Sequence, residues 1–243
     1  MKPLCTWLLL SFLLVMMAAA PAGAQIQFGE AARQLGLGKS AAISDDKVAS
    51  GLKEALRVGT DNAVKYTGRK DGYFGNAAIK ILMPKNLRPL ESGLRAVGYG
   101  PKVDEFILSM NRAAERAAPE AKAIFRDAIL AMTFEDVRKI LHGSDTAATE
   151  YFQARTSSRL TVAFRPVVER AMREKGVTRQ YEALVGQYES LPFMKGPNFN
   201  INEYVVSQAL GGLFHMVGEE EKKIRTNPAA RVTSLLKEVF TKR

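Results

Sequence analysis

The sequence contains almost no cysteine or tryptophan. There is one of each among 243 residues, and both occur within the first seven positions, as Cys5 and Trp7. With a single cysteine the chain cannot form an internal disulfide, and beyond Cys5 it has no thiol nucleophile. The fold must therefore depend on the packing of apolar side chains, and a chain of this length can bury enough apolar surface for that.

Histidine is nearly as scarce, which limits the chemistry that the chain can carry. A serine hydrolase needs a histidine base, but the chain has only His142 and His215 and no Gly-x-Ser-x-Gly turn. Zinc sites need clusters of cysteine and histidine. His215 and Glu219 are four residues apart, but we interpret His215 as a surface residue beside an acidic run. No Walker loop or dinucleotide fingerprint is present, and we predict neither a metal site nor a cofactor.

The first 24 residues have the three parts of a secretory signal peptide. Lys2 gives a positive start, residues 8–17 are apolar apart from one serine, and residues 22–24 form a small-x-small cleavage site. The apolar run is too short to span a bilayer as a helix. We predict cleavage after Ala24, which leaves 219 residues in the periplasm. No later segment is long and apolar enough to cross a membrane.

Apolar residues repeat at helical spacing through most of the remaining chain, most clearly at 103–117. Separate stripes at 148–152 and 160–172 predict two separate helices. We predict an all-α protein that forms an irregular bundle of about eight to ten helices after a cleaved signal peptide. A flexible segment at 25–43 should precede a single helical domain at 44–243.

Polar residues mark where several of these helices should begin. Ser44 is a predicted N-cap that is followed by two aspartates, and Thr133 with Asp136 resembles a capping box. Asn202 is the predicted cap of a long helix near the C-terminus. These caps divide the chain into helices joined by short loops.

The least helical segment lies before Pro84. Three glycines interrupt its first half: Gly68, Gly72 and Gly75. In its second half every other residue is apolar, namely Ile79, Ile81 and Met83. The pattern fits either a short extended segment or a turn-rich loop. Backbone N–H groups of the glycine-rich half could cradle a phosphate or an anionic headgroup, although we favour a solvated surface loop.

Positive charge is in excess and is unevenly distributed. The chain has 35 basic and 25 acidic residues, and between Arg57 and Lys102 nine basic residues face three acidic ones. A positive field attracts anionic partners without selecting among them. We therefore prefer a non-enzymatic periplasmic binding or interaction protein, with an anionic envelope lipid, a polyanion or an acidic protein as partner and no specific nucleic acid. The candidate binding residues are Arg57, Lys65, Arg69, Lys70, Lys80, Lys85, Arg88 and Arg95.

The alternative is a carboxylate-dependent envelope enzyme, for example a hydrolase that acts on peptidoglycan. Helical enzymes of that kind use a glutamate followed by serine, and the dipeptides Glu91-Ser92 and Glu189-Ser190 match. Two residues are a weak signal, and the lack of tryptophan removes the usual platform for sugar stacking. The catalytic residue is unknown, and the acids to test first are Glu115, Glu120, Asp136 and Glu219. A structural or assembly role also stays open.

Six runs spread over nearly all of the processed chain carry a family resemblance. They are Gly-Leu-Lys-Glu-Ala-Leu at 51–56, Met-Asn-Arg-Ala-Ala-Glu at 110–115, Ala-Ala-Pro-Glu-Ala at 117–121, Met-Thr-Phe-Glu-Asp at 132–136, Ala-Ala-Thr-Glu-Tyr-Phe at 147–152 and Asn-Pro-Ala-Ala-Arg at 227–231. Together they resemble a bacterial family known as domain of unknown function 4197. The resemblance implies an exported helical protein and brings no activity, ligand or catalytic residue.

Overall fold

Helices account for the regular structure in the part of the chain that the structure describes, which confirms the all-α class. The computed structural model describes residues 44–174, 176, 179, 181–183 and 199–227. The predicted signal peptide at 1–24 and flexible segment at 25–43 lie outside these residues. None of the described helices is both long and apolar enough to cross a bilayer. The α-helices are α1 (Asp45–Gly68), α2 (Arg88–Ala96), α3 (Gly100–Ala117), α4 (Ala121–Leu130), α5 (Phe134–His142), α6 (Ala147–Glu174) and α7 (Ile201–Thr226), with 3-10 turns at Lys85–Leu87 and Ala118–Glu120.

The described residues thus contain seven α-helices of defined bounds, against the eight to ten predicted for the whole chain. One reason lies in α6, where the stripes at 148–152 and 160–172 belong to a single helix that continues through Pro166. Proline leaves the carbonyl four residues before it without a helical donor. That carbonyl belongs to Val162, and both residues are exposed, so water can replace the missing donor.

Among the described helices, α1, α5 and α7 are capped by the side chain of the residue that directly precedes them. The predicted caps are confirmed at Ser44, which caps α1, and at Thr133 and Asp136, which form a complete capping box at the start of α5. The cap predicted at Asn202 is wrong. The side chain of Asn200, two residues earlier, accepts the first free N–H groups of α7, so the helix begins one residue before the predicted cap.

The helices α3 and α7 pack against each other and each packs against both α1 and α6, whereas α4 packs against α1 and α6. Phe125 of α4 meets Phe152 of α6 edge-on, with ring centroids 5.2 Å apart, and lies 6.1 Å from Phe214 of α7. All three rings are buried. Burial of one such side chain contributes about 1.5–3 kcal/mol, so this aromatic cluster joins α4 firmly to the longer helices.

Candidate functional site

Residues 69–84, which join α1 to the 3-10 turn before α2, form a turn-rich loop rather than an extended strand. The alternation in the sequence still predicts which side chains of the loop are buried, because Ile79, Ile81 and Met83 are buried whereas Leu82 is 51% exposed. Lys80 is half-buried. Loops that a rigid scaffold holds in place often carry function, and two neighbouring helices hold this one.

The side chain of Asn111 on α3 takes the place of a partner strand for this loop. Its Oδ1 accepts the N–H of Ile81 at 2.8 Å, and its Nδ2 donates to the carbonyl of Ile81, also at 2.8 Å. The same Nδ2 donates to the carbonyl of Ile107 at 2.8 Å. Asn111 is fully buried and Ile81 is 1% exposed. Buried backbone groups need partners, so this amide fixes the register of the loop against α3.

Glu115, one turn further along α3, holds the first half of the loop. Its Oε1 accepts the N–H groups of Tyr73 at 3.1 Å and Phe74 at 3.2 Å. Its Oε2 accepts a hydrogen bond of 2.6 Å from Arg112, which also donates to Asp71 at 2.7 Å. Glu115 is buried. Donors therefore occupy both of its carboxylate oxygens, and its visible role is to position the loop.

Tyr73 anchors the same loop to α7. Its hydroxyl donates to the carbonyl of Ala209 at 2.6 Å, and burial raises the pKa of Tyr73 far above its usual value, so the hydroxyl stays a donor. The ring lies against Gly212. A Cβ at that position would be 2.6 Å from Cε1 of Tyr73 and 3.1 Å from Cβ of Ile79. Glycine is therefore required for α7 to approach the loop this closely.

The second half of the loop, together with the turn that follows it and the start of α7, borders a groove of about 430 Å³. Small-ligand sites typically enclose about 300–1,000 Å³. The rings of Phe199 and Tyr204 lie 5.6 Å apart there, and the Tyr204 hydroxyl donates to the carbonyl of Leu82 at 3.0 Å. The cations of the groove are Lys80, Lys85 and Arg88. Its other lining residues are Leu82, Met83, Pro84, Asn86, Phe199, Tyr204 and Gln208.

The three cations of this groove have no carboxylate partner within the described part of the chain. The Lys80 ammonium lies 4.1 Å from the centroid of the Phe74 ring, a cation–π contact. Arg88 lies close enough to Tyr204 for its charge to oppose the burial that raises the pKa of Tyr204. An anionic ligand entering the groove would therefore meet positive charges that are not engaged in ion pairs.

The other five predicted cations lie elsewhere. Arg57 and Arg95 each pair with two carboxylates. Arg69 stacks on a tyrosine ring of α1, with 4.1 Å between its guanidinium carbon and the ring centroid. Lys65 is exposed on α1, and Lys70 borders a different cavity. The basic stretch of the sequence is thus divided, and three of its eight candidates meet at the groove.

The different cavity, of about 520 Å³, runs along α3 and has charged walls as well. Its arginines already have partners. Arg112 binds Glu115 and Asp71, and Arg116 binds Glu174 at 2.6 Å. A ligand there would have to compete with internal carboxylates, so the smaller groove is the better anion site.

The candidate carboxylates have separate structural settings. Glu115 holds the loop, and Asp136 accepts the backbone N–H of the capping residue, which lowers the pKa of Asp136. Glu120 borders a third cavity beside α1 and α4, and Glu219 is exposed. Glu189 lies outside the described residues. Over the described ranges, no three His, Cys, Asp or Glu side chains are grouped to hold a metal ion.

A family model described as "Protein of unknown function (DUF4197)" matches residues 42–241. The chain belongs to this family. No curated protein and no solved structure matches it. In this DUF4197 protein, the run at 110–115 that carries part of the family resemblance supplies Asn111, Arg112 and Glu115, the three polar side chains that attach the loop to α3.

Several residues of the site in this DUF4197 chain are absent from the sequence-based candidates. Asn111 had a readable signal, because it lies four residues after Ile107 and next to Met110 on the apolar face of its helix, where an amide needs buried partners. No sequence signal marked Phe199 or Tyr204 as part of the site. They come from a part of the chain more than ninety residues from the basic stretch, and a single sequence does not show which distant segments meet.

Proposed function

We propose that this protein is a non-enzymatic binding protein of the bacterial periplasm. Its ligand is an anionic amphiphile, a molecule in which a negatively charged group is joined to an apolar chain. It is held in the groove between residues 80–88 and the start of α7. The observation that carries the proposal is that three cations, which have no carboxylate partner among the described residues, share this groove with aromatic and aliphatic walls. Export rests on the predicted signal peptide at 1–24.

The charged half of the groove supports an anionic headgroup. Lys85 and Arg88 are exposed, and Lys80 is half-buried against an aromatic ring. The planar guanidinium of arginine matches carboxylate and phosphate oxygens in a two-point contact, and lysine adds a point charge. Among the described residues, none that lines the groove is acidic, so this part of its walls does not repel an anion.

The apolar half of the groove favours an amphiphile over a purely ionic polymer. Leu82 exposes about half of its surface, and the rings of Phe199 and Tyr204 continue the apolar wall. A polyanion would satisfy the cations but would leave these side chains in water. An acyl chain would cover them, with a gain of about 25 cal/mol for each Å² of apolar surface removed from water.

A carboxylate-dependent hydrolase has less support from the same observations. Such an enzyme needs a pair of acids that face the substrate. Glu115 already accepts three hydrogen bonds, and Glu91 of the first Glu-Ser pair accepts one of 3.0 Å from Arg95. Peptidoglycan turnover that is abolished by Glu115→Gln would nevertheless establish the hydrolase and overturn the proposal.

Binding of a short-chain lipid tests the proposal directly. Titration calorimetry would follow dihexanoyl phosphatidylglycerol, kept below its micellar concentration, into the protein purified from the envelope of expressing cells. We expect binding that weakens with added salt. The groove variant, which combines Lys80→Gln, Lys85→Gln and Arg88→Gln, should bind about tenfold to a hundredfold more weakly, since each exposed ion pair contributes up to about 1 kcal/mol.

A matched control separates the groove from the overall charge of the protein. Lys65→Gln, Arg170→Gln and Lys222→Gln remove the same charge from three exposed positions outside the groove, and this variant should bind like the wild type. Equal losses in the two variants would show a diffuse field rather than a site. Equal affinity for dihexanoyl phosphatidylcholine would also contradict the proposal.

A further inference from the structure

Exposed apolar side chains are concentrated around α2. Among the described residues, Leu82, Val97 and Tyr99 are large hydrophobic side chains that are 51%, 69% and 47% exposed. All three fall in the short stretch that surrounds α2. The other exposed large hydrophobic residues lie on α4, α5 and α6: Leu130, Phe134 and Val162. Exposed apolar side chains that are grouped, rather than scattered singly, are typical of an interaction surface.

The helix α2 is itself weakly embedded in the bundle. None of its nine residues is buried, and its main contacts are with α3 and with the 3-10 turn that precedes it. Leu90 and Leu94 pack partly against the core. Arg88 and Arg95 lie at its two ends. It is a short amphipathic helix at the surface. The arginine at its start has no carboxylate partner among the described residues, whereas Arg95 at its end pairs with Glu91 and Asp104.

The groove and α2 belong to one continuous surface. Arg88 begins α2 and also lines the groove. At the other end of the helix, Arg95 binds Asp104 at 2.7 Å. The hydrogen bond from Arg95 lowers the pKa of Asp104, and the charge of Lys80 acts in the same direction. A nine-residue helix is only about 13 Å long. Both ends of α2 and the groove can therefore contact the same small area of a bilayer surface.

We infer that this surface docks the protein onto an anionic lipid bilayer. The docking patch consists of Leu82, Val97 and Tyr99 together with the three groove cations. The inference rests on the proposed function, because it places the groove at the headgroups from which an anionic amphiphile would enter it.

Each part of the patch has a counterpart in the bilayer surface. The groove cations, which have no carboxylate partner among the described residues, face anionic headgroups, and each such contact strengthens binding to the membrane. Val97 and Leu82 enter the boundary between headgroups and acyl chains, where the ring and hydroxyl of Tyr99 are also well accommodated. Neither charge alone nor a few apolar side chains alone hold a protein at a membrane firmly, but the two together do.

Vesicle co-sedimentation tests the inference with side chains that lie outside the groove. The variant Val97→Ser with Tyr99→Ser should partition roughly fivefold to tenfold more weakly onto phosphatidylcholine vesicles that contain phosphatidylglycerol. The matched control, Leu130→Ser with Val162→Ser, removes two exposed apolar side chains elsewhere and should partition like the wild type. Far-UV circular dichroism would verify that both variants stay folded.

A fluorescence measurement reports insertion directly. The predicted processed chain has no tryptophan, so Tyr99→Trp introduces a single reporter. Its emission should shift to shorter wavelength with phosphatidylglycerol vesicles, whereas Phe134→Trp on α5 should show no shift. No shift for Tyr99→Trp, or equal shifts at both positions, would refute the docking.

The two proposals fail in different ways. If the Val97 and Tyr99 variant sediments like the wild type while dihexanoyl phosphatidylglycerol still binds in the groove, the docking inference is wrong and the proposed function stands. If the wild type binds neither the soluble lipid nor the vesicles, the proposed function falls, and the inference falls with it. Capture of an acidic protein without any vesicle binding would likewise overturn the inference.

Discussion

Replacing Asn111 with alanine should detach the 69–84 loop from α3. In the native protein, the side-chain amide of Asn111 pairs with both the N–H and the carbonyl of Ile81. Ile81 is 1% exposed, so neither backbone group can turn to water without movement of the loop. The carbonyl of Ile107, the third partner of the amide, keeps its helical donor. The substitution therefore leaves two buried groups unpaired.

The expected loss can be estimated from these two groups. A buried backbone group without a partner costs about 1–3 kcal/mol, so two of them cost between about 2 and 6 kcal/mol if nothing relaxes. The loop lies at the surface and can shift toward water, and we therefore expect a loss of about 3 kcal/mol in the free energy of unfolding. A domain of ordinary stability has only about 5–15 kcal/mol in total, so the change would be easy to measure.

Urea unfolding followed by circular dichroism measures this loss, and Asn62→Ala provides the control. Asn62 is also an asparagine that hydrogen-bonds to another helix, at 2.9 Å to Glu220, but it is exposed. Its replacement should change stability by less than about 0.5 kcal/mol. Hydrogen exchange at the Ile81 amide should become faster in Asn111→Ala alone. Equal stability of the two variants, or unchanged exchange at Ile81, would refute this explanation of how the loop is held.

Three further substitutions test other parts of the fold. Gly212→Ala should destabilise the protein by about 1–3 kcal/mol in urea unfolding, because its Cβ would meet the Tyr73 ring at 2.6 Å; no loss would mean that α7 can move away freely. Glu221→Ala should lower the free energy of unfolding by about 3 kcal/mol or more, because this buried carboxylate accepts the N–H groups of Ala148 and Thr149 near the start of α6 and pairs with Arg225. A smaller loss would mean that water replaces the carboxylate. Asp136→Asn should change the pH dependence. The hydrogen bond from the backbone of Thr133 lowers the pKa of Asp136 in the folded state, so its contribution is full above the unfolded pKa of about 4 and is lost as pH falls through the lower folded value. Urea midpoints of wild type and variant should therefore differ at pH 7 and converge in acid, and a constant difference would contradict the assignment.

The helical class and several helix starts could be predicted because they depend on local sequence. An apolar stripe and a nearby cap are sufficient, as at Ser44 and Thr133. The division of α6 into two helices was wrong because the polar stretch inside it looks like a break. There Thr156 and Ser157 donate their hydroxyls to carbonyls one turn earlier, each at 2.6 Å, and Thr156 is buried. The hydroxyl groups thus find hydrogen-bond acceptors within the helix itself. Tertiary packing keeps this segment helical although its residues have only a modest helix propensity.

The candidate site was predictable only in part, because it depends on which distant residues meet. A concentration of cations is visible in the sequence, but whether a cation is paired depends on the neighbouring helix. Arg95 is neutralised by Asp104, which lies across the turn between α2 and α3. Lys85 and Arg88 have no such neighbour among the described residues. The aromatic wall of the groove comes from α7 and its lead-in, and no local pattern connects it to the loop.

Three positive charges that border one small groove repel one another, and the loop attachments must hold them together at a cost in stability. Removing the charges and removing an attachment should therefore have different effects. The groove variant, without the charges of Lys80, Lys85 and Arg88, should lose affinity for an anionic ligand but keep or slightly gain stability. Asn111→Ala should lose both affinity for the anionic ligand and stability, because the loop that presents Lys80 is no longer fixed. Parallel urea unfolding and lipid titration of the two variants measure these effects. If the groove variant were as unstable as Asn111→Ala, the cations would be part of the fold rather than charges held ready for a ligand.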